Sequence, residues 1–210
     1  MKVVHLLLCL LMLVWSCGES QNNRNATAVV GGPCEGCEAV FEYGQKNLSY
    51  SDTIVGFGSL KDPIHISGTV FERDGKTKAK NIIIYVYHTD DKGIYPTNTN
   101  SKGWERRHGY LRTWLKTDDN GRYSFYSSRP ASYPNSTIPQ HIHFTIKEPN
   151  KNEYYIDDIY FEDDPHLTDR IRLRKNPRGG SGVIQLQSAG KLKVATRDII
   201  LGLNIPNYPN

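Results

Sequence analysis

Helix is the first thing this sequence is short of. No amphipathic pattern longer than two turns is evident in its 210 residues, which argues against bundles and βαβ units. Long apolar runs are missing too: the ten residues Leu6–Trp15 fall short of the roughly 20 that cross a bilayer. Charge of one sign is also scarce. With 26 Lys+Arg against 22 Asp+Glu the formal charge is +4, and the densest basic run, Arg170 to Arg178, reads as a solvated loop beside Gly179-Gly180. No nucleic-acid partner is expected, because that needs a clustered basic stripe. Cysteine is limited to four. Cys9 lies inside the apolar run and Cys17 at its end, which leaves Cys34 and Cys37 for the fold. No second CxxC or matching His cluster completes a zinc site, and no thioredoxin-like unit follows. A structural disulfide clasping the N-terminal segment is expected.

Lys2 and the short apolar run give residues 1–17 the form of an export signal. Val14-Trp15-Ser16-Cys17 resembles a bacterial lipobox, with Cys17 as a lipid anchor; Trp15 fits that pattern poorly, so plain cleavage stays open. The expected product is exported: periplasmic, membrane-anchored or secreted. Losing residues 1–17 removes only Lys2, leaving a charge of about +3. Residues 18–39 read as a polar tether plus the CxxC segment, and 40–210 as one domain. The Asn-x-Ser/Thr sequons at Asn25, Asn47 and Asn135 matter only in a eukaryotic secretory pathway.

What is present is strand. The 13 tyrosines and many β-branched residues suit half-buried sheets. Ile64–Val70 alternates, Asn81–Tyr87 is a continuous apolar run of the kind buried on both faces, and Asp74-Gly75 marks a turn. Leu111–Lys116 and Tyr123–Ser127 flank the hairpin signal Asp119-Asn120-Gly121. His141–Lys147, Glu153–Phe161, Gly182–Gln187 and Leu192–Ile200 complete seven or eight short strands, preceded by entry segments at Val40–Tyr43 and Leu60–Ile66. The expected fold is an all-β sandwich with long loops and little helix. Two loops stand out: Asp90–His108, whose length suggests function, and the proline-rich Ser128–Pro139, which cannot be a central strand.

His141 and His143 are spaced i, i+2 on an extended segment, so both imidazoles project from one face and can reach one metal. Tyr95 and Tyr133 sit in the two long loops, each beside a proline. Phenolates from both would supply hard anionic oxygen, and an O/N donor set of this kind favours ferric iron over zinc or copper(I). Taken singly, each residue has a plain alternative as a solvated strand or loop side chain.

The order of these motifs resembles the intradiol ring-cleavage dioxygenases, the family of the catechol and protocatechuate enzymes. The likeness runs from Ile66 to about Pro165, nearly half the chain. Ser67-Gly68-Thr69-Val70 resembles the opening strand, and Tyr87-His88-Thr89-Asp90 stands where the family has a Trp-His-Ala-Asn type sequence. Lys92-Gly93-Ile94-Tyr95 and Arg129-Pro130-Ala131-Ser132-Tyr133-Pro134 resemble the two ligand-tyrosine segments. Thr117–Phe125 matches a Thr-Asp-x-x-Gly-x-Tyr block, His141-Ile142-His143-Phe144 the His-x-His-Phe, and Tyr160–Pro165 the Tyr-Phe-Glu-Gly-Asp-Pro. The resemblance implies an Fe(3+) centre with Tyr95 and His143 equatorial and Tyr133 and His141 axial. It implies a small aromatic diol and O2 as substrates, cleavage between the two hydroxylated carbons to a muconate-type product, and Tyr133 as the group that takes a substrate proton. Whether the chain forms a homo-oligomer stays open.

One departure is clear. The family places an arginine three residues before the first ligand histidine, to stabilise carbanion character in the bound substrate; here that residue is Ile138, and a neutral side chain cannot take over a cation's electrostatic role. Arg107, Arg112 and Arg129 are the available substitutes, and Arg107, in the loop expected to border the site, is the expected catalytic cation. Two rival readings remain. His141-x-His143-x4-Glu148 has cupin spacing, although Glu148 has the wrong strand parity and no second cupin motif follows. A non-catalytic prealbumin-like binding module would share the sandwich strands and hold no metal.

Overall fold

The computed structural model describes residues 29–209; the export segment, Cys17 and residues 18–28 lie outside them. Twelve strands form the described fold: β1 (Ser51–Thr53), β2 (Pro63–Phe71), β3 (Ile83–Tyr87), β4 (Arg112–Lys116), β5 (Arg122–Ser128), β6 (His141–Lys147), β7 (Tyr154–Tyr155), β8 (Ile159–Phe161), β9 (Val183–Ile184), β10 (Gln187–Ala189), β11 (Leu192–Thr196) and β12 (Ile199–Ile200). One sheet runs β1-β5-β2-β11-β10 with β12 also on β2, the other β4-β3-β6-β8-β9 with β7 also on β6. The only α-helices among the described residues are single turns, α1 (Glu105–His108) and α2 (Asp169–Arg172). The all-β sandwich expected from the turn spacing is the observed architecture.

Alternation sorts the strands between two cores. Ile64 and Ile66 of β2, Ile84 and Val86 of β3, Phe125 of β5, and Ile142, Phe144 and Ile146 of β6 face inward and form the main core between the sheets. The other face of the second sheet does not meet water everywhere. Tyr85 and Trp114 on that face join Ala39 and Val40 in a second apolar cluster, with Tyr43, Leu48, Ile83, Tyr87 and Trp104 around it. The 3-10 turn Cys37–Phe41 supplies the cover. β3 is therefore buried on both faces, as its unbroken apolar run implies.

The disulfide Cys34–Cys37 closes the covering turn, with its Cα atoms 5.6 Å apart. Gly36, at φ 86, lies against α1: a Cβ there would meet His108 Nε2 at 2.8 Å. The expected clasp on the N-terminal segment is thus a lid over the outer face of the second sheet.

Three expected strands are broken. Gly182–Gln187 gives β9, paired with β8 in one sheet, and the first residue of β10, paired with β11 in the other. Leu192–Ile200 divides into β11 and β12, both parallel to β2. Glu153–Phe161 divides into β7 and β8, and the pairing with β6 changes between them: Tyr155 pairs with Thr145, but Ile159 pairs with Ile142. The register has slipped by one residue, which is a β-bulge at Asp157-Asp158. The slip carries Asp158 to the outer face of the sheet, the face of His143 and Tyr160, because side-chain parity inverts at an extra residue.

Candidate metal centre

β6 forms the base of the site. His141 and His143 project from its outer face with ring centroids 4.6 Å apart and planes at 85°. Cross-strand pairing puts Tyr87 of β3 beside His143, stacked at 4.4 Å. On its other side Tyr87 stacks on His108 of α1 at 3.9 Å. Position is therefore set by sheet register, and the plane of the His143 ring by stacking.

Two loops bring the phenols. Asp90 organises the first, accepting from the backbone N–H of Lys92 and Ile94. Its carbonyl also accepts from Ala131 N–H of the second loop, and Thr89 Oγ1 donates to the Ala131 carbonyl. At the join, Gly93 has φ +77, and a Cβ there would lie 1.9 Å from the Ser132 carbonyl oxygen and 3.1 Å from Tyr133 Cα. Only glycine fits between the segments carrying Tyr95 and Tyr133.

All four expected ligands meet. Tyr95 Oη lies 2.8 Å from His143 Nε2 and 2.6 Å from Tyr133 Oη, and Tyr133 Oη is 3.1 Å from His141 Nε2. The far ring nitrogens fix both tautomers. His141 Nδ1–H donates to the Pro139 carbonyl at 2.7 Å, and His143 Nδ1–H to Asp158 Oδ1 at 3.0 Å. Both Nε2 atoms therefore present lone pairs inward. Two phenolic protons must then serve three close contacts, so one contact always sets lone pair against lone pair. A cation in the middle removes that deficit, which is the fit of this donor set to a metal ion.

The electrostatics agree. Burial, then the adjacent Tyr133 phenol, pushes the Tyr95 hydroxyl far up. Burial raises Tyr133 and lowers His141, with His143 adding to the latter. For Asp158 burial works upward, but the neighbouring His143, through its hydrogen bond, with His141 and the buried Arg197 guanidinium nearby, outweighs it and holds the carboxyl below its usual range. Left alone, the phenols stay protonated at neutral pH; a bound cation would invert that preference.

Arg107 is not brought to the four. It is 62% exposed, paired with Glu35 of the disulfide turn, its guanidinium 5.2 Å from the Trp104 ring. Arg112 is held by Glu42 and Glu105, and Arg129 by Asp163. Ile138 is exposed, and none of these arginines is hydrogen-bonded to the four donors. The loop carrying Arg107 does border the site, through His108; the one-turn helix turns Arg107 toward the acidic turn instead. Glu148 is likewise elsewhere: buried, it accepts from the Tyr154 and Tyr208 hydroxyls and from Lys151, which removes the geometric basis of the cupin reading. Asp158 is the residue that sequence reasoning missed. Its signal was the acidic pair Asp157-Asp158 interrupting an apolar strand run.

Beside His143 opens a cavity of about 260 Å³, with Tyr87, Thr145, Tyr155 and Asp158 on the sheet side and the 33–37 turn as its other wall.

Comparison with known proteins adds to this geometry. The protocatechuate 3,4-dioxygenase beta chain of Burkholderia cepacia is 27% identical over 114 residues, 51% of this chain and 48% of that one, so the chain spans about half the length of this curated relative. The dioxygenase domain of a dioxygenase and carbohydrate-binding protein fusion from Streptomyces sp. SirexAA-E shares the fold with TM-score 0.55 at 20% identity, covering 74% of this chain and 90% of that one. A catechol 1,2-dioxygenase variant from Acinetobacter radioresistens does so with TM-score 0.57 at 18% identity, covering 77% and 59%. A family model described as Dioxygenase matches residues 49–180, from β1 through both phenol loops and the histidine strand to the threshold of β9. By that match the chain belongs to the intradiol ring-cleavage dioxygenase family.

Proposed function

We propose that the protein is an exported iron-dependent dioxygenase that opens a small catechol-type ring between its two hydroxylated carbons, using O2, to a muconate-type product. Tyr95, Tyr133, His141 and His143 would hold a ferric ion. The observation that supports this best is their convergence with one proton too few for their own contacts. Bound there, iron would supply Lewis acidity toward the diol oxygens and redox contact between the ring and O2.

The chain's own groups have separable tasks. His141 and His143 sit on a central strand and hold fixed positions. Tyr133 rides a proline-flanked loop, and its Oη is the base that receives a hydroxyl proton of the incoming diol. Tyr87, stacked against His143, limits how that imidazole can tilt. Export is supported by the Cys34–Cys37 disulfide, which persists in oxidising compartments.

Metal analysis, visible absorption and O2 uptake with a panel of catechols test the reading together. A red-brown protein consuming one O2 per ring is expected. A colourless protein that stays iron-free after ferric reconstitution would favour the binding module instead.

A further inference from the structure

The two histidines are not equivalent in what stands behind them. His141 Nδ1–H donates to a backbone carbonyl, a neutral dipole. His143 Nδ1–H donates to the carboxylate of Asp158. Within reach of one another, His141, His143 and Asp158 could be taken for three ligands of one ion. The ring nitrogen that Asp158 engages is the one turned away from Tyr95, which places the carboxylate behind the imidazole.

That carboxylate is held by an unusual amount of structure. Asp158 reaches the outer face because of the one-residue bulge, and the bulge is pinned from several sides. Asp157 N–H donates to the Arg178 carbonyl at 3.1 Å, and Arg174 Nη1 donates to Asp157 Oδ1 at 2.7 Å. Arg197, buried under Phe144 with its guanidinium 4.8 Å from that ring, donates through Nη2 to the Asp157 carbonyl. Gly182 lies so close that a Cβ there would meet the Asp158 carbonyl oxygen at 1.9 Å. Bulges beside functional sites re-aim side chains, and this one aims a carboxylate at the back of one imidazole.

We propose that Asp158 is the positioning residue of this centre: through the His143 Nδ1–H it fixes that ring's tautomer and orientation and makes His143 the stronger of the two nitrogen donors. Partners of this kind fix ring orientation and raise ligand basicity. The part concerning metal rests on the iron reading above; the part concerning the tautomer does not.

The test uses the full mature chain as wild type, Asp158→Asn and Asp158→Ala. In the metal-free protein, ring 15N shifts should report His143 protonated on Nδ1 in wild type, largely so in D158N, and as a tautomer mixture in D158A. After ferric reconstitution, iron affinity should fall roughly 10–100-fold in D158A. D158N, which keeps an acceptor but loses the charge, should move the tyrosinate-to-iron absorption to longer wavelength. An Nε2-protonated His143 in wild type, or a D158A ratio like wild type, overturns the proposal. So do unchanged iron affinity and absorption in both variants. If wild type itself takes up no iron, the iron reading fails, while the ring nitrogen shifts still decide the role of Asp158.

Discussion

Gly93 joins the two loops that deliver the phenols, and replacing it with alanine tests whether their meeting depends on that contact. The added methyl would sit 1.9 Å from the Ser132 carbonyl oxygen, a backbone atom that cannot swing aside, and 3.1 Å from Tyr133 Cα, at φ +77. The left-handed conformation costs a side chain about 1–2 kcal/mol, and overpacking a close contact about 1–3 kcal/mol. Gly93→Ala should therefore lose roughly 2–5 kcal/mol. Relief comes only by moving the loops apart, which separates Tyr95 Oη from Tyr133 Oη, now 2.6 Å distant. Gly44→Ala is the matched control: its φ is +59 and nothing lies within 4 Å of a Cβ, so it carries the conformational cost alone. Urea unfolding of the metal-free proteins gives the stabilities, and iron stoichiometry after reconstitution reads the site. If G93A loses no more stability than G44A and keeps full iron occupancy, the close approach at Gly93 does not hold the loops together.

Tyr133→Phe and His141→Ala should each abolish colour and oxygen uptake together; full oxygen consumption by both variants would refute the ligand assignment. Arg107→Ala should leave iron content and turnover within about two-fold of wild type, and stability within about 1 kcal/mol, because its pairing with Glu35 is at the surface; a loss of turnover by orders of magnitude would restore it to catalysis. Burial lowers His88 to about 4 against an ordinary 6.5, so the folded state binds fewer protons than the unfolded chain between those values. Its stabilisation is intact above pH 6.5 and lost as pH falls toward 4, about 3 kcal/mol in all; urea midpoints at pH 4.5 and 7 should differ more in wild type than in His88→Gln. Replacing both Cys34 and Cys37 with serine removes a very short covalent loop and should cost about 2 kcal/mol, seen as a lower urea midpoint.

Strand positions were legible because β-branched runs and Asx-Gly turns are local signals: β6 spans His141–Lys147 as expected, and β2 and β3 differ only at their ends. The four donors were legible because residue type and order carry the chemistry. Asp158 was not, because its direction depends on a slip in register against β6, a property of two strands at once. Arg107 was placed at the site by its loop, but the direction of a side chain on a one-turn helix is decided by what packs nearby, here Glu35 and Trp104. The second apolar cluster was also hidden, since Tyr85 and Trp114 are covered by a segment some 40 or more residues away in the chain. The proposed lipid anchor lies beyond the described residues.

The donors of this centre stand on supports of different stiffness. The nitrogens belong to a strand hydrogen-bonded along both edges, to β3 on one and to β7 and β8 on the other, while the oxygens belong to irregular segments clipped together at one glycine. A newcomer that competes for space at the centre meets a rigid half and a yielding half. Were a metal held here, the phenol loops would be the part that gives way to a competing ligand, and the strand-borne imidazoles the part that stays.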